Sequence, residues 1–305
     1  MNMAIGIDMG GSRVKGVAVD ADGNILHRLY TDIDHKDGAL WKKVVADTMN
    51  ELLARLHVKT SVIGISAPGL PDDNNTAIAF MPGRMRGLEN FIWKDFLHQP
   101  AYVLNDAVAA MIAEAKFGSA KKRKHVVMLT LGTGVGGAIL IDGKPYQGAF
   151  HKAGHMGHMV INDEGGTDVT GMPGSLEECI GNCSILKRSK GRFSSTSEMM
   201  IAYRKGDTEA KEVWLKSVRQ LAIGLASITN ILSPQIIVLG GGITEAGDDL
   251  FDPLNEYMAQ YEWRAGGNKV EIKKATYGDL SGAIGAACFA MRIADYADKI
   301  RDHTD

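Results

Sequence analysis

The sequence has little cysteine and no long apolar segment, and its charges almost cancel. Three cysteines among 305 residues cannot form a fully paired disulfide framework, which excludes the small secreted folds that depend on one. No apolar run is long enough to span a bilayer, and the first residues lack the basic and apolar regions of a signal peptide. The formal net charge of −2 leaves no strongly basic surface for nucleic acid. These features predict a cytoplasmic protein that binds neither nucleic acid nor membranes.

Two segments share one pattern: a strand, a glycine-rich turn, a strand, an Asp-Gly turn and a third strand. The first is IGIDMGGSRVKGVAVDADGNIL, with its hairpin turn at Asp22-Gly23. The second is LTLGTGVGGAILIDGKPY, with its turn at Asp142-Gly143. Alternating helix and strand patterns follow each one, which predicts an α/β fold built from two related halves. The basic run KKRKH at 121–125 is interpreted as a solvated linker between the halves rather than a nucleic-acid-binding patch.

The remaining segments have clear periodicity. Apolar residues at helical spacing predict helices in ALWKKVVADTMNELLARLH, AVAAMIAEAKFG and WLKSVRQLAIGLASITNIL, the last ending before Pro234. SVIGISAP, AYVLND, IIVLGGG and KVEIKKA are interpreted as strands, and a final helix opens at SGAIGAACFAMRIADYA. The glycine-rich stretch from Lys144 to Gly181 is interpreted as irregular.

Three glycine turns at strand ends are candidate nucleotide contacts. At Gly10-Gly11 and in GTGVGG at 132–137, backbone N–H groups can approach phosphate oxygens without interference from a Cβ. The third turn, LGGGI at 239–243, is suited to adenine or to a simple reversal of the chain. Asp8 precedes the first turn, and a carboxylate beside a phosphate requires a cation between them, which predicts Mg²⁺ bound through water. Each turn alone is typical of an ordinary hairpin, whereas the three together favour phosphate binding.

A carboxylate stands where a predicted strand meets a predicted helix, in VLNDAVAA. Asp106 at this junction is a favoured residue type for a helix N-cap, which is one interpretation. The other is a general base, because phosphoryl transfer to an alcohol needs a group that accepts the hydroxyl proton. Asn105 beside it carries both a donor and an acceptor for a sugar hydroxyl.

A third cluster lies in AGHMGHMVINDEGGTDVTGMPGSLEE. His155 and His158 have a spacing seen in metal sites, but no cysteine precedes them in the chain, so recognition of hydroxyl groups is an equal alternative. Glu177 is a candidate acceptor for a ligand diol. Cys179 and Cys183, four residues apart, are interpreted as packing residues on one helix face.

Seven short motifs along the chain together match one known family. GIDMGGSRVK, GISAPG, LND, GTGVGGAIL, AGHMGH, GSLEE and IIVLGGGI occur in the order found in the ROK family of sugar kinases, which the chain resembles from about Ile5 to the final helix. The resemblance implies a two-lobed actin-like ATPase (ribonuclease H-like) fold, with a duplicated mixed sheet and flanking helices. It implies an N-terminal sugar-side lobe at 1–118, joined by the C-terminal helix at about 290–305, and a nucleotide-side lobe at 119–289.

The resemblance also implies roles for individual residues. Asp106 matches the general base, and Asp8 helps to hold Mg²⁺ near the transferred phosphate. The positions that match sugar contacts are Gly69, Asn105, Asp106, His155, His158 and Glu177. The positions that match ATP contacts are Asp8, Gly10, Gly11, Ser12, Lys15, Thr133, Gly134, Gly240 and Gly241.

The chain departs from the family pattern in two places. The family usually carries a zinc loop with three cysteines, and Asp168, Thr170 and Ser175 stand at those positions here. His158 matches the histidine ligand, but one imidazole cannot make a tetrahedral site, so we expect no zinc. His155 replaces a family glutamate, as in some N-acetylmannosamine kinases, and this change alters which sugar hydroxyls can be satisfied.

The resemblance therefore predicts ATP-dependent phosphorylation of a hexose or hexose derivative at the 6-hydroxyl. The enzyme would be like a glucokinase or like an N-acetylmannosamine or N-acetylglucosamine kinase, with a homodimer as the family expectation. A catalytically weak sugar-sensing or regulatory protein on the same scaffold is the alternative. A repressor of this family would need a DNA-binding domain before the first strand, which starts by Ile5. Arg84 and Arg86 are interpreted as surface arginines, with a sugar contact as the other possibility.

Overall fold

A computed structural model describes residues 3–33, 40–81 and 85–301, with side chains up to Asp295 in the last helix. The chain divides into two compact units. The first comprises Met1–Lys122, Gly148–Lys152 and Thr276–Asp305, and the second comprises Arg123–Gln147 and Ala153–Ala275. Within the described ranges, no helix is both long enough and apolar enough to cross a bilayer.

The first unit is built on a five-stranded mixed sheet. Its strands, with those of a small separate hairpin, are β1 (Met3–Met9), β2 (Arg13–Asp20), β3 (Ile25–Asp32), β4 (Ile63–Ala67), β5 (Leu70–Pro71), β6 (Ile78–Phe80) and β7 (Ala101–Asn105). The sheet order is β3-β2-β1-β4-β7, and β5 pairs with β6. β1, β2 and β3 pair antiparallel, whereas β1, β4 and β7 run parallel. Gly23 has φ +88°, so the predicted Asp-Gly turn forms with the left-handed residue that such a hairpin requires.

Helices cover both faces of this sheet. They are α1 (Leu40–Arg55), α2 (Trp93–Leu97), α3 (Asp106–Lys116) and the C-terminal helix Ser281–Arg301. The C-terminal helix lies against the backbone of β1 and β4: a Cβ added at Gly6 or Gly64 would meet the carbonyl oxygens of Ala283 or Ala286 at 1.9 Å. These glycines are therefore needed for close packing between the helix and the sheet.

The second unit repeats the same sheet. Its strands are β8 (Val126–Leu131), β9 (Val135–Ile141), β10 (Lys144–Tyr146), β11 (Ile236–Gly240) and β12 (Glu271–Lys274). The order is β10-β9-β8-β11-β12, with β8, β9 and β10 antiparallel and β8, β11 and β12 parallel. Both sheets thus have three antiparallel strands followed by two parallel additions, and the predicted duplication is confirmed.

The helices of the second unit pack on this sheet. They are α4 (Leu176–Ile180), α5 (Ile185–Arg188), α6 (Thr196–Arg204), α7 (Thr208–Leu232) and α8 (Asp248–Tyr261), with a short 3-10 helix at Met156–His158. α7 begins six residues before the predicted start because the Asp207 side chain accepts a hydrogen bond from the Ala210 N–H, at 2.9 Å, and caps it. Trp214, in α7, is buried and its indole N–H donates to the Asp249 carbonyl. The stretch expected to be irregular contains α4.

Candidate active site

In the first unit, two predicted site residues lie at the ends of the parallel strands β1 and β7, which flank β4. Asp8 lies near the end of β1, and Asn105 ends β7. β4 runs between them, with Ser66 opposite Asp8 and Ala67 opposite Asn105 in the strand registers. The carboxyl ends of parallel strands in an open α/β sheet are where ligands usually bind. The structure therefore brings these two residues to one edge of the sheet.

Asp8 is held by two side chains of its own unit. Its Oδ1 accepts a hydrogen bond from the Ser66 hydroxyl at 2.6 Å, and its Oδ2 lies 3.2 Å from the Lys15 ammonium. Lys15 also donates to the Asp279 carbonyl oxygen, at 2.8 Å. The start of the C-terminal helix lies close to this carboxylate, since a Cβ at Gly282 would be 2.6 Å from Oδ1. Ser66, which the sequence interpretation missed, sits at the end of the buried strand GISAPG.

The turn after β1 has the shape of a small open loop. The Gly10 N–H donates to the Arg13 carbonyl oxygen at 3.0 Å, and a Cβ at Gly10 would approach that oxygen to 2.8 Å. At Gly11 the position of a Cβ has no described atom within 4 Å. Gly11 and Ser12 are exposed. An exposed glycine turn with accessible backbone N–H groups has the chemistry of an anion cradle.

The junction of β7 and α3 separates two roles that the sequence left open. Asn105, not Asp106, is the N-cap: its Oδ1 accepts hydrogen bonds from Ala107 N and Val108 N at 3.0 and 3.3 Å. Asn105 is buried and also donates through Nδ2 to the Gly69 carbonyl oxygen, at 3.0 Å. Asp106 is the first residue of the helix and is exposed, with Oδ1 2.7 Å from Ala107 N. The principal cap of α3 is therefore the Asn105 side chain and not the Asp106 carboxylate.

Gly69 has a strict conformational requirement. Its φ is +103°, and a Cβ there would lie 2.7 Å from side-chain atoms of Ile78 and Met81. Its carbonyl oxygen fixes the Asn105 amide, so it connects the loop after β4 to the end of β7. Nearby, Arg86 is exposed, and Arg84 lies outside the described residues.

In the second unit, two glycine turns share one edge of the sheet. Thr133 and Gly134 follow β8, and Gly240 and Gly241 end the neighbouring parallel strand β11. Gly241 has φ +88°, and a Cβ there would lie 2.3 Å from the Leu131 carbonyl oxygen. The four predicted ATP contacts of this unit therefore lie in two adjacent turns, and Thr133 is exposed.

Glu177 is attached to the first of these turns. It is buried on α4, and its Oε2 accepts a hydrogen bond from Val135 N at 2.9 Å. A Cβ at Gly134 would lie only 2.0 Å from the same oxygen, so glycine is needed where the carboxylate crosses the turn. The preceding residue Leu176 donates its N–H to the Met159 carbonyl oxygen at 2.8 Å, which joins α4 to the segment that carries His158.

The two histidines lie at the ends of one short 3-10 turn. His155 precedes the 3-10 helix Met156–His158, and the His158 N–H donates to the His155 carbonyl oxygen at 3.2 Å. Nδ1 of His158 lies 2.8 Å from Oδ2 of Asp168. The Asp168 side chain is fully buried, whereas 30% of the His158 side chain is exposed. Burial by itself raises the pKa of the Asp168 carboxyl, but hydrogen bonds from His158, Thr170 and backbone N–H groups outweigh it and hold that pKa well below its ordinary value.

The end of α4 is fixed by a residue that the sequence interpretation missed. The guanidinium of Arg188 donates to the carbonyl oxygens of Cys179, Ile180 and Gly181, at 2.7 to 3.3 Å. A cation on the last carbonyls of a helix satisfies them and interacts favourably with the helix dipole. Burial lowers the pKa of Arg188 to about 10. Arg188 lies in the basic segment KRSKGR, and nothing in the sequence distinguishes it from the other basic residues there.

The cysteines of this region do not share one environment. Cys179 is buried on α4, and burial raises the pKa of its thiol to about 11. Cys183 follows the helix and is exposed. Its backbone N–H donates to the Thr133 carbonyl oxygen at 2.8 Å, so it contributes to the site through its main chain.

Two sheets with the same strand order, each carrying glycine turns at the ends of its parallel strands, define a duplicated actin-like ATPase fold. The solved structure of a ROK hexokinase from Thermus thermophilus matches with a TM-score of 0.85 and 25% identity, covering 96% of this chain and 99% of that one. A ROK family glucokinase from Streptomyces griseus, solved in complex with glucose and AMPPNP, matches with a TM-score of 0.77 and 25% identity over 95% and 99% of the two chains.

The ROK family model matches residues 4–293, and the chain belongs to the ROK family. A glucokinase from Streptomyces coelicolor is 28% identical over 95% of this chain and 98% of its own length. A xylose repressor from Bacillus spizizenii is 26% identical over 94% of this chain but only 77% of its own length. Kinases and a repressor are thus both among the relatives, and the family resemblance predicted from the motifs is confirmed.

Proposed function

We propose that this chain is an ATP-dependent kinase of a hexose or hexose derivative and that it phosphorylates the primary hydroxyl at C6. Family membership supports this, as does full-length similarity to a glucokinase and to a glucokinase structure that holds glucose and AMPPNP. The observation in the chain itself that supports the proposal is that two adjacent residues at the junction of β7 and α3 have different roles. Asn105 caps the helix, and the exposed carboxylate of Asp106 stands at its first turn.

Asp106 is the proposed general base. A carboxylate there accepts the proton of the sugar hydroxyl as its oxygen attacks the γ-phosphate, which avoids a charged alcohol in the product. Asn105 has used both acceptor sites of its Oδ1 on the helix, and one Nδ2 hydrogen remains after the bond to Gly69. Its proposed contribution to the sugar is therefore that single donor. His155, His158 and Glu177 are the proposed contacts to the other hydroxyls.

The proposed nucleotide contacts are the glycine turns and their neighbours. Backbone N–H groups at Gly11 and Gly134 stabilise charge on phosphate oxygens, and Gly240 and Gly241 form the adenosine-side turn. Gly10 contributes by shaping the first turn, because its own N–H donates to the Arg13 carbonyl oxygen. Mg²⁺, when bound, neutralises charge on the transferred phosphoryl group. The side chains present fit this ion: Asp8 has two partners that fix its carboxylate, and it can still hold a hydrated cation through water.

The decisive experiment is Asp106→Asn. Asparagine keeps the size of the side chain but cannot accept the proton, so kcat should fall by more than about 100-fold, which corresponds to roughly 2.7 kcal/mol. Sugar binding measured by calorimetry should stay within about threefold, because the base acts in the transition state. Asp47→Asn, an exposed residue on α1 paired with Lys43, is the matched control and should retain activity. Turnover of Asp106→Asn above about one per cent of wild type would contradict the assignment.

A coupled assay with glucose, mannose, fructose, allose, N-acetylglucosamine and N-acetylmannosamine identifies the sugar. The xylose repressor among the relatives makes a sugar-binding regulator the second candidate function. Calorimetric binding of one of these sugars without turnover of any would favour that alternative. We further propose that the protein is cytoplasmic and that it forms a homodimer. Light scattering after gel filtration measures the molar mass and so tests the homodimer.

A further inference from the structure

Two of the three positions at which the family resemblance places zinc-binding cysteines, Asp168 and Thr170, form a hydrogen-bond network with His158, and the third, Ser175, caps a helix. Oδ1 of Asp168 accepts hydrogen bonds from Thr170 N at 2.8 Å, Thr170 Oγ1 at 2.7 Å and Met172 N at 3.1 Å. Oδ2 of Asp168 faces Nδ1 of His158 at 2.8 Å. Ser175 caps α4, with its Oγ 3.3 Å from Glu178 N.

These residues do not fit a structural zinc ion. Such a site takes four ligands, as a rule thiolates and imidazoles, in a tetrahedron. Here Thr170 Oγ1 donates its hydrogen to Asp168, and the Ser175 hydroxyl accepts from the backbone, so neither is arranged as a ligand. Across the described parts of the chain, there is no group of three or more His, Cys, Asp or Glu side chains that can hold a metal. The network occupies the loop in place of a metal.

The network has a consequence for the chemistry of His158. All the groups that face Oδ1 of Asp168 are N–H or O–H donors, so the carboxylate acts as an acceptor throughout. An aspartate is ionised at neutral pH, so Oδ2 is an acceptor as well, and Nδ1 of His158 must carry the hydrogen of their bond. In a neutral imidazole the other nitrogen, Nε2, then has a lone pair and accepts hydrogen bonds.

The placement of the pair supports a role towards a ligand. The Asp168 side chain is fully buried, whereas the His158 side chain is partly exposed, so the carboxylate lies on the buried side of the imidazole ring. The His158 turn packs on the start of β9, where a Cβ at Gly157 would lie 1.9 Å from the Val135 carbonyl oxygen. The Glu177 carboxylate accepts a hydrogen bond from the N–H of the same Val135. His158 and Glu177 are thus fixed to one short segment of the second unit.

We propose that Asp168 is a positioning residue which fixes the hydrogen of His158 on Nδ1, so that Nε2 accepts a hydrogen bond from one hydroxyl of the sugar without any zinc. The inference rests on the proposed function for the identity of the ligand. It makes His158 a specificity determinant: the sugar must present a hydroxyl donor at that position. An analogue with fluorine there cannot donate, and leaves the lone pair of Nε2 unsatisfied.

The position of the hydrogen is measured by NMR. Two-bond ¹H–¹⁵N spectra of the full-length ¹⁵N-labelled protein, dialysed against EDTA at pH 8, distinguish the two tautomers, and His158→Asn assigns the signal. We expect the hydrogen on Nδ1 in the wild type. In Asp168→Asn the single oxygen is taken by the Thr170 and Met172 donors, the amide NH₂ faces Nδ1, and the hydrogen should move to Nε2. Asp163→Asn, an exposed position in the same loop, should leave the tautomer unchanged.

Two NMR or metal results overturn the proposal. One is a hydrogen on Nε2 of His158 in the wild-type protein. The other is one equivalent of zinc per chain that remains after dialysis against EDTA.

Kinetics test the link to the sugar. Once the sugar panel has identified a substrate, its monodeoxyfluoro analogues are compared in the wild type, Asp168→Asn and Asp163→Asn. One analogue should lose about 10- to 100-fold in kcat/KM with the wild type and with Asp163→Asn, mainly through KM. The loss should shrink to within about threefold with Asp168→Asn, whose Nε2–H no longer needs a donor. An equal loss in all three proteins overturns the proposal. If no sugar is phosphorylated, the proposed function fails, and the tautomer measurement still decides the hydrogen-bond assignment.

Discussion

The carboxylate of Glu177 and the backbone N–H of Val135 are joined by a hydrogen bond of 2.9 Å, although 42 positions separate them in the chain. Val135 begins β9 directly after the turn that holds Thr133 and Gly134. The chain after α4 adds two main-chain bonds to that turn, from Asn182 N to the Gly132 oxygen at 3.0 Å and from Cys183 N to the Thr133 oxygen at 2.8 Å. The proposed sugar ligand Glu177 and the proposed phosphate turn are therefore parts of one bonded assembly within the second unit.

This relationship gives a kinetic prediction for Glu177→Ala. The Val135 N–H loses a charged acceptor, a bond worth about 1.5–3 kcal/mol, and the phosphate turn loses its brace. KM should rise for ATP as well as for the sugar, with kcat/KM about 10- to 100-fold lower. Glu177→Gln keeps an acceptor oxygen and should restore the KM for ATP in large part. Steady-state kinetics with each substrate varied in turn measures both values.

Glu178→Gln is the control for this variant. Glu178 is the next residue of α4, and its carboxylate pairs with Lys187 instead of the turn. Its KM values should stay close to those of the wild type. An increase confined to the sugar KM in Glu177→Ala would show that the bond to Val135 has no effect on the nucleotide.

The contact between Gly282 and Asp8 gives a second prediction. A methyl group at Gly282 would lie 2.6 Å from Oδ1 of Asp8 and 2.8 Å from the Ser66 hydroxyl, so Gly282→Ala must displace the carboxylate. A shift of about 1 Å in a catalytic arrangement can cost roughly 100-fold. We expect kcat/KM for MgATP to fall by about 10- to 100-fold and the Mg²⁺ requirement to rise, measured by kinetics at fixed ATP with Mg²⁺ varied.

Gly224→Ala separates this effect from a general effect of alanine in a helix. Gly224 lies inside α7, and a Cβ there would make ordinary contacts of 3.4 to 3.5 Å with Ile161 and Leu176. Alanine in a helix interior is better than glycine by about 1 kcal/mol, so this variant should be as stable as the wild type or more so, with full activity. Equal kinetics for the two glycine variants would argue against a role for the Asp8 position.

Much of the fold was predictable because its signals are local. The two Asp-Gly hairpins, the apolar stripe of α7 and the glycine turns at strand ends depend on neighbours within a few residues, and each is found where its pattern indicated. The duplication was visible because the same turns recur in the same order. The helix α8 was missed because Pro253 interrupts its pattern, and the short hairpin of β5 and β6 was missed because two or three residues carry no periodicity.

The site was predictable as a set of residue types but not as a set of contacts. Asp106 was weighed as an N-cap, and the structure assigns that role to Asn105, because the choice depends on backbone angles at one residue: φ −60° and ψ 143°. Asp168 was noted only as a replacement for cysteine. Its bond to His158 joins two points of an irregular loop ten residues apart, and no local rule specifies such a contact.

A buried carboxylate that the sequence did not mark gives a third prediction. Glu114 on α3 is fully buried, and it accepts hydrogen bonds from Ser119 N, Thr276 N and Tyr277 N at 2.8, 2.8 and 3.0 Å. Glu114→Ala removes the carboxylate acceptor of three backbone N–H groups, at about 1–3 kcal/mol for each group that cannot recruit water. We expect the free energy of unfolding to fall by at least about 3 kcal/mol, measured by urea denaturation. Amide exchange at Thr276 and Tyr277 should accelerate.

An exposed glutamate is the control for that loss. Glu51 pairs with Arg55 one turn away on α1, and both side chains are about half exposed. A surface pair of this kind contributes at most about 0.5 kcal/mol, so Glu51→Ala should be almost neutral. Unchanged exchange at Thr276 in Glu114→Ala would contradict the assigned hydrogen bonds.

The Asp168 carboxyl gives a prediction for stability against pH. Its pKa in the folded chain is below its ordinary value: burial opposes this shift, and the hydrogen bonds from His158, Thr170 and the backbone outweigh burial. A depressed pKa adds stability that is fully present above the pKa of the unfolded chain, about 3.9, and that is lost as the pH falls towards the folded value. The contribution of the Asp168 charge to the difference in free energy of unfolding between wild type and Asp168→Asn should therefore be fully present at pH 5 and above. Below pH 4 it should shrink with a slope approaching about 1.4 kcal/mol per pH unit, since one proton is bound.

Urea denaturation of both proteins at pH 7, 5, 4 and 3 measures this slope, with Asp163→Asn expected to follow the wild type throughout. A difference that stays the same down to pH 3 would mean that the carboxylate charge contributes nothing to the loop.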